Sequence, residues 1–509
     1  HPVALVANSQ GDLYVTNWVL RQYPNHGKGE IWRVRPKSRS SVVSSAGVNN
    51  YRFHDTPMSL DEIMEQLNSD DPFLQSIARW KLGRDADYQQ LMTLLDHQDA
   101  EVQLQGLLIL QKHPQQVEIQ RLSDLLGHRD LRLRQAALFY IGTRQVEEAM
   151  PTLIAALKSG SITPELFDGF LAAVQHLQPE FVQGYQQRKE NKSNSLERVL
   201  PENFIAEIIA DRQTEEPIRA LALPYLDKPQ EHQKLLLNQL QESKDEAYQV
   251  SLIDALSYIS NDADIQLFNN LLLNILMNEN NPIRVRSIAA VAMVQPNPDQ
   301  CTNMLQTLPT ADVDLQYAIV NKLCACGDEA VKEWITANAS TIGAAAMSSW
   351  EKCQSGRVIE ISNQEFANSV NDTGSAMRGE LVFKSSSSLC QSCHQVEGWG
   401  GEFGPDLTKI GSSKNQQQLI DAILYPSKEM APEWQGWYVI DQEGNRHTGR
   451  QIDVHLKNVE LMNINGEFDS YHKPKSYGVA EKSVMPEGLQ NTMTKTEFND
   501  LIAYLTSLK

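Results

Sequence analysis

Between about residues 59 and 350 the apolar positions recur three and four apart, the spacing that gathers them on one face of a helix. The pattern breaks at intervals, and the breaks share a form: a short acidic or Asn turn, two or three residues, then a new apolar helix. Such turns stand at Ser69-Asp70-Asp71-Pro72, His97-Gln98-Asp99-Ala100 and His128-Arg129-Asp130-Leu131. They return at Thr214-Glu215-Glu216-Pro217, Ser243-Lys244-Asp245-Glu246, Glu279-Asn280-Asn281-Pro282 and Ala311-Asp312-Val313-Asp314. The spacing is roughly 30 residues, the length of a repeated helix pair. Several second helices set small residues after an arginine, as in Leu133-Arg134-Gln135-Ala136-Ala137 and Val285-Arg286-Ser287-Ile288-Ala289. Over 160–213 the pattern thins, and Gln187 to Asn194 reads as an exposed polar loop.

The ends of the chain alternate differently. Val3-Ala4-Leu5-Val6, Asp12-Leu13-Tyr14-Val15-Thr16 and Gly29-Glu30-Ile31-Trp32-Arg33-Val34 predict strands in a β segment over 1–36. A Ser-rich linker over 37–58 separates it from the helices. A second linker, 351–370, leads to a last domain over 371–509. That domain opens on a short amphipathic helix, Met377 to Phe383. It closes on a helix from about Thr494 with Phe498, Leu501, Ile502, Tyr504, Leu505 and Leu508 on one face. Between them Trp437 to Ile440 with His447 to Val454, and Val459 to Ile464 with Phe468 to Tyr471, predict two hairpins in a β insertion at about 434–472. The fold class is mainly α: a helical-repeat region followed by a helical domain with a small β insertion.

The 509 residues suffice for two or three domains, and their formal net charge is −19. So acidic a chain disfavours nucleic acid and anionic lipid and favours a basic protein partner. No apolar run reaches the length of a membrane-spanning helix. The spacings of a hydrolase elbow, a P-loop and a dinucleotide fingerprint are missing from the sequence. The scattered histidines 97, 113, 128, 176 and 232 read as surface or inter-repeat contacts.

The chemistry concentrates in Cys390-Gln391-Ser392-Cys393-His394. Two cysteines two residues apart, followed at once by histidine, form the attachment pattern of c-type haem. The thiols add across porphyrin vinyl groups, and the histidine becomes the iron's proximal ligand. A zinc half-site and a thioredoxin-like dithiol are the alternatives. One covalent haem c is the expected cofactor. Because such attachment takes place outside the cytoplasm in bacteria, a periplasmic or extracellular location and a removed leader are expected. Four further cysteines, 301, 324, 326 and 353, then lie in an oxidising compartment. Cys324 and Cys326 stand too close to favour each other, so Cys301 is expected to join one of them and Cys353 another.

The order of helix, CxxCH, Gly404-Pro405-Asp406-Leu407, Ser483-Val484-Met485-Pro486 and closing helix resembles class I cytochrome c over residues 371–509. That resemblance implies a hydrogen bond from the His394 imidazole to the Pro405 carbonyl and iron ligation by His394 and Met485. Methionines 377, 430, 462 and 493 and histidines 447, 455 and 472 are the other distal candidates, Met493 being the runner-up to Met485. The repeats resemble HEAT units, and Gly11 to Trp18 resembles the motif of a last β-propeller blade. In combination the chain resembles the large haem-binding dehydrogenase-like proteins of Planctomycetes, Verrucomicrobia and some Bacteroidetes. In that family a propeller resembles sugar dehydrogenases, and the cytochrome would take its electrons. Here the propeller is nearly absent, so the haem residues alone carry over.

The expected function is single-electron transfer by an exported c-type cytochrome, with the repeats docking a redox donor or acceptor, such as a dehydrogenase or a propeller domain. No catalytic residue is assigned. Two alternatives stand beside it: an oxidoreductase, either the haem part of a dehydrogenase or a peroxidase at an open iron, and a repeat scaffold whose haem is secondary.

Overall fold

The computed structural model describes residues 2–7, 13–18, 29–34, 60–178, 200–257, 262–355, 361–431, 434–455 and 458–509. The expected linker at 37–58 and the polar loop Gln187 to Asn194 lie outside these residues. The chain is mainly helical, with a small sheet region towards its C-terminus. Its contacts divide it into two compact units, His1–Ile218 and Arg219–Lys509.

In the first unit β1 (Pro2–Ala7), β2 (Leu13–Trp18) and β3 (Gly29–Val34) form an antiparallel meander, in which Leu5 stands opposite Val15 and Leu13 opposite Val34. Helices follow, among them α1 (Pro72–Asp85), α2 (Ala100–Leu110), α3 (Leu131–Arg144) and α4 (Phe167–His176). Two of the acidic turns that break the sequence pattern in this unit are helix caps. Asp99 accepts from the Glu101 amide and Asp130 from the Arg132 amide, each supplying a partner for an N–H that the first turn leaves unbonded. Consecutive members of this series pack on one another, α1 on α2, α2 on α3 and α3 on α4. Shorter helices such as Ile119–Leu126 pack behind them. Leu107, Leu110, Leu122, Tyr140, Phe167 and Phe170 are buried between the layers. Each such side chain contributes about 1.5–3 kcal/mol on leaving water.

The second unit continues the arrangement with α5 (Glu246–Leu256), α6 (Ile283–Ala292), α7 (Val313–Leu323) and α8 (Ala344–Ser355), again packed in series. Asp245 and Asp312 cap α5 and α7 as Asp99 and Asp130 cap theirs. Two disulfides tie the end of the series together. Cys301 pairs with Cys326 and Cys324 with Cys353, at Cα–Cα separations of 6.4 and 6.3 Å.

The stretch expected as a second linker is partly helical. α8 runs on to Ser355, and α9 (Asn363–Ser369) follows, its capping box closed by Ser362 and Glu365. Phe366 fixes α9 by packing edge-on to Phe498, ring centroids 5.3 Å apart. α10 (Ala376–Lys384) then leads to α11 (Cys390–Cys393) and a short hairpin, β4 (Gln395–Val396) with β5 (Trp399–Gly400). After α12 (Gln416–Leu424) comes the β insertion: β6 (Gly436–Ile440), β7 (Arg446–His455), β8 (Asn458–Met462), β9 (Phe468–His472) and β10 (Ser476–Val479). The two expected hairpins are one antiparallel sheet of order β10-β6-β7-β8-β9, because β7 pairs with both β6 and β8. Trp437, Val439, Val459 and Leu461 form its core. The chain closes on α13 (Lys495–Ser507), capped by Thr494 and packed across α10.

Candidate functional site

The site grows from a single helical turn. α11 is four residues long, so Cys390 and Cys393 stand three apart, on the same side of the turn. The backbone leaves helical geometry at His394, which is extended at φ −117° and ψ 141° and donates its amide to the Cys390 carbonyl at 2.9 Å. Both cysteines are partly buried and unpaired, although the other four cysteines of the chain are joined. Leu389, just before the turn, has φ 60° and ψ 5°, a left-handed conformation that costs a branched side chain about 1–2 kcal/mol.

The loop after the turn folds back over it. The amides of Gly401, Gly404 and Leu407 donate to the carbonyls of Gln391, Cys393 and Gln395 at 2.9, 2.7 and 2.8 Å. These bonds bring the Pro405 carbonyl oxygen to 2.8 Å from His394 Nδ1. The ring therefore donates from Nδ1 and leaves Nε2 as the basic nitrogen. Gly404 is required there by space: a Cβ on it would lie 2.5 Å from Cε1 of His394. Burial lowers the His394 pKa, against the pull of the Pro405 bond, which keeps the imidazole neutral. Burial raises both cysteine pKa values, and a neighbouring thiol adds to the effect at Cys390.

Those directions bear on the alternatives. A nucleophilic dithiol needs a thiolate stabilised by positive surroundings, and these thiols are held protonated. A zinc site needs converging donors, and no group of three or more His, Cys, Asp or Glu side chains converges among the described residues.

Met485 stands on a different loop, between the sheet and α13. The loop is held by the Ala480 amide on the Gly436 carbonyl at 2.7 Å and by the Ser483 amide on Ser427 Oγ at 3.2 Å. The Met485 amide donates to Ser483 Oγ at 3.1 Å, and the residue is half-buried. Of the other candidates, Met377 in α10 and Met430 on the loop after α12 are half-buried, as Met485 is. Met462 and Met493 are core residues, 5% and 1% exposed. His447 binds Asp441 at 2.8 Å and packs on Tyr471, while His472 binds Asn458 at 2.6 Å. The side chain of His455 lies outside the described residues.

Sequence reading missed what surrounds the turn. Trp399, at the end of the hairpin after His394, donates from Nε1 to Ser251 Oγ of α5 at 3.3 Å. Beneath it Lys384 binds Asp254 at 2.8 Å, and Arg284 binds both oxygens of Glu380 at 2.7 and 2.9 Å. The available signal was three charged residues, Arg378, Glu380 and Lys384, on a helix whose apolar face the sequence already buries. Compared with known protein families and with curated proteins, the chain matches none.

Proposed function

We propose that the chain carries single electrons through one haem bound covalently at Cys390 and Cys393, with His394 and Met485 as the iron's axial ligands. The observation that carries this reading is the one-turn placement of two unpaired thiols followed by an imidazole whose Nδ1 is committed to Pro405. Those residues fit the group. The thiols can each add across a vinyl, Nε2 of His394 is free to ligate, and Gly404 leaves the ring its orientation. A haem held by these residues would supply reversible one-electron chemistry, at a potential that a Met485 thioether ligand would raise. With His394 and Met485 both holding the iron, the site would favour electron transfer over catalysis at the metal.

The architecture fits the same reading. α10, α11, α12, the Met485 loop and α13 follow the order of a class I cytochrome c domain, and α5 to α8 fit a HEAT-like solenoid. The meander β1–β3 fits one blade of a propeller. An exported setting suits the covalent haem and the two disulfides, and among the described residues no helix is long and apolar enough to cross a membrane. A redox protein is the proposed partner, docked through the repeats.

Intact mass and the alkaline pyridine spectrum of protein made in a host with haem-attachment machinery test the reading. Addition of one haem with a c-type reduced band supports it. A colourless protein of unmodified mass, or one retaining zinc on those sulfurs, overturns it.

A further inference from the structure

The ionic cluster beneath the CxxCH turn is not accounted for by haem attachment. α5 contributes Glu246 and Asp254, α6 contributes Arg284, α10 contributes Glu380 and Lys384, the hairpin contributes Glu397 and α13 contributes Tyr504. All of them but Glu246 line a cavity of about 20 Å³ that Gln391, between the two attachment cysteines, also lines. A space of that size holds about one water. Four carboxylates share two cations, and the sharing is uneven. Glu380 has a bidentate bond from Arg284 and lies 3.4 Å from Lys384. Asp254 has Lys384 at 2.8 Å as the cation bound to it. Glu246 stands 3.6 Å from Arg284 at the exposed margin.

An electron gained by a haem held at Cys390 and Cys393 would add negative charge one residue from Gln391, which lines this carboxylate-rich cavity. Poorly screened charge of that kind is relieved by binding a proton. The half-buried Asp254, with Lys384 as the cation bound to it, is where it goes.

We propose that Asp254 takes up one proton as the haem attached at Cys390 and Cys393 gains one electron, so that this chain couples electron transfer to proton binding. The proposal rests on the haem reading above. The step balances: an external one-electron donor supplies the electron, solvent supplies the proton through the cavity, and the charge of the site is unchanged. Burial already raises the Asp254 pKa, against the pull of Lys384 and with the push of Glu380. Glu380 stays ionised: burial raises it, and Arg284 and Lys384 more than reverse that. Tyr504 is pushed up by burial and then by Glu380, so it stays protonated throughout.

The test is a spectroelectrochemical titration of the holoprotein from mildly acidic to mildly alkaline pH, with an indicator dye reporting protons in unbuffered solution. The expected midpoint potential falls as pH rises, approaching one proton per electron, and the dye reports matching uptake on reduction. Asp254→Asn should flatten the slope and abolish the uptake with the haem spectrum unchanged. If that variant does not fold, carboxyl-labelled aspartate in the parent gives a second readout: the redox difference infrared spectrum should contain an isotope-sensitive aspartic acid carbonyl band. A flat potential in a haem-loaded protein, a slope that survives Asp254→Asn and so belongs to another group such as a haem propionate, or a missing aspartic acid band each overturns the proposal. Protein without covalent haem overturns the underlying reading, which is a different and separately visible failure.

Discussion

Gly379 meets Asp500 where α10 crosses α13: a Cβ on Gly379 would lie 2.0 Å from the Asp500 carbonyl oxygen and 2.6 Å from Tyr504 Cβ. The adjacent Arg378 closes the crossing, donating from Nε and a terminal nitrogen to both Asp500 carboxylate oxygens at 2.7 Å. Backbone stands on the far side, so the helices can accept a methyl group only by moving apart. Gly379→Ala should cost more than about 3 kcal/mol, the upper end of overpacking penalties, with little native protein left to bind haem. Gly83→Ala is the control, since its nearest neighbour is 3.5 Å away on a helix. It should instead stabilise by about 0.5–1 kcal/mol. Urea denaturation of the two variants decides the matter.

Glu497 ties the closing helix to α7 and α8. Lys352 Nζ lies 2.7 Å from each of its oxygens, and Tyr317 Oη and Ser349 Oγ donate to Oε1 at 3.0 and 3.3 Å. The carboxylate also accepts the Thr494 amide at 2.7 Å, closing the capping box of α13. Removing its cation leaves a buried charge. Lys352→Met should therefore cost about 3–5 kcal/mol, while Lys352→Met with Glu497→Gln should recover much of it. A double-mutant cycle by chemical denaturation measures the difference. Equal losses in the single and double variants would refute a charge-based anchor.

How much of this was legible follows from the range of each interaction. The Asp99, Asp130, Asp245 and Asp312 turns could be read because a cap bonds to an amide two or three residues ahead. The Cys390 to His394 motif stands out in the sequence for the same reason, since its five residues are contiguous. The Cys301, Cys324, Cys326 and Cys353 pairing was reachable because the tight spacing of one pair narrows the choices. Glu380 with Arg284 lies 96 residues apart and Tyr317 with Glu497 lies 180 apart, so no local pattern encodes either. β10 escaped as well: it is a four-residue edge strand held only by β6, and it carries no alternation of its own.

Glu380 sets one limb of the pH profile. Its folded pKa is lowered, because Arg284 and Lys384 outweigh burial. Unfolded glutamate titrates near about 4.3, so below that value the unfolded chain binds a proton that the folded chain resists. Stability from this group is therefore present above the ordinary glutamate range and is lost as pH falls through and below it. Glu380→Gln should be less stable near neutrality and show a shallower acid limb. Asp254 acts with the opposite sign, its folded pKa being raised by burial. Thermal melts of the parent and Glu380→Gln across acidic pH separate the two, and parallel acid limbs would exclude Glu380.

The two disulfides close segments with sequence separations of 25 and 29. Loops of that size restrict the unfolded chain by roughly 3–4 kcal/mol each in the chain-entropy view. If Cys390 and Cys393 hold a haem through thioethers, as proposed, thiol reagents will spare those bonds while reducing the disulfides, and one sample separates the two. Dithiothreitol should lower the melting temperature while the haem band and the bound mass are unchanged. Loss of colour with reduction would mean that the pigment is not held by Cys390 and Cys393.

Some rivals of Met485, the proposed distal ligand, already have another task, while Met377 and Met430 are half-buried as it is. Met493 and Met462 fill core space, so truncating either should cost about 2–5 kcal/mol in stability. His447 and His472 are engaged within the sheet by Asp441 and Asn458. Met485 is half-buried on a loop held by its own amide on Ser483 Oγ and by the Ser483 amide on Ser427 Oγ. Met485→Ala should therefore change ligation more than folding. The reduced variant should bind carbon monoxide rapidly, its potential should drop, and its melting temperature should change little. Met493→Ala should do the reverse, lowering stability and leaving the iron closed. If carbon monoxide binds the parent and Met485→Ala equally fast, Met485 is not the ligand and an open iron becomes the better reading.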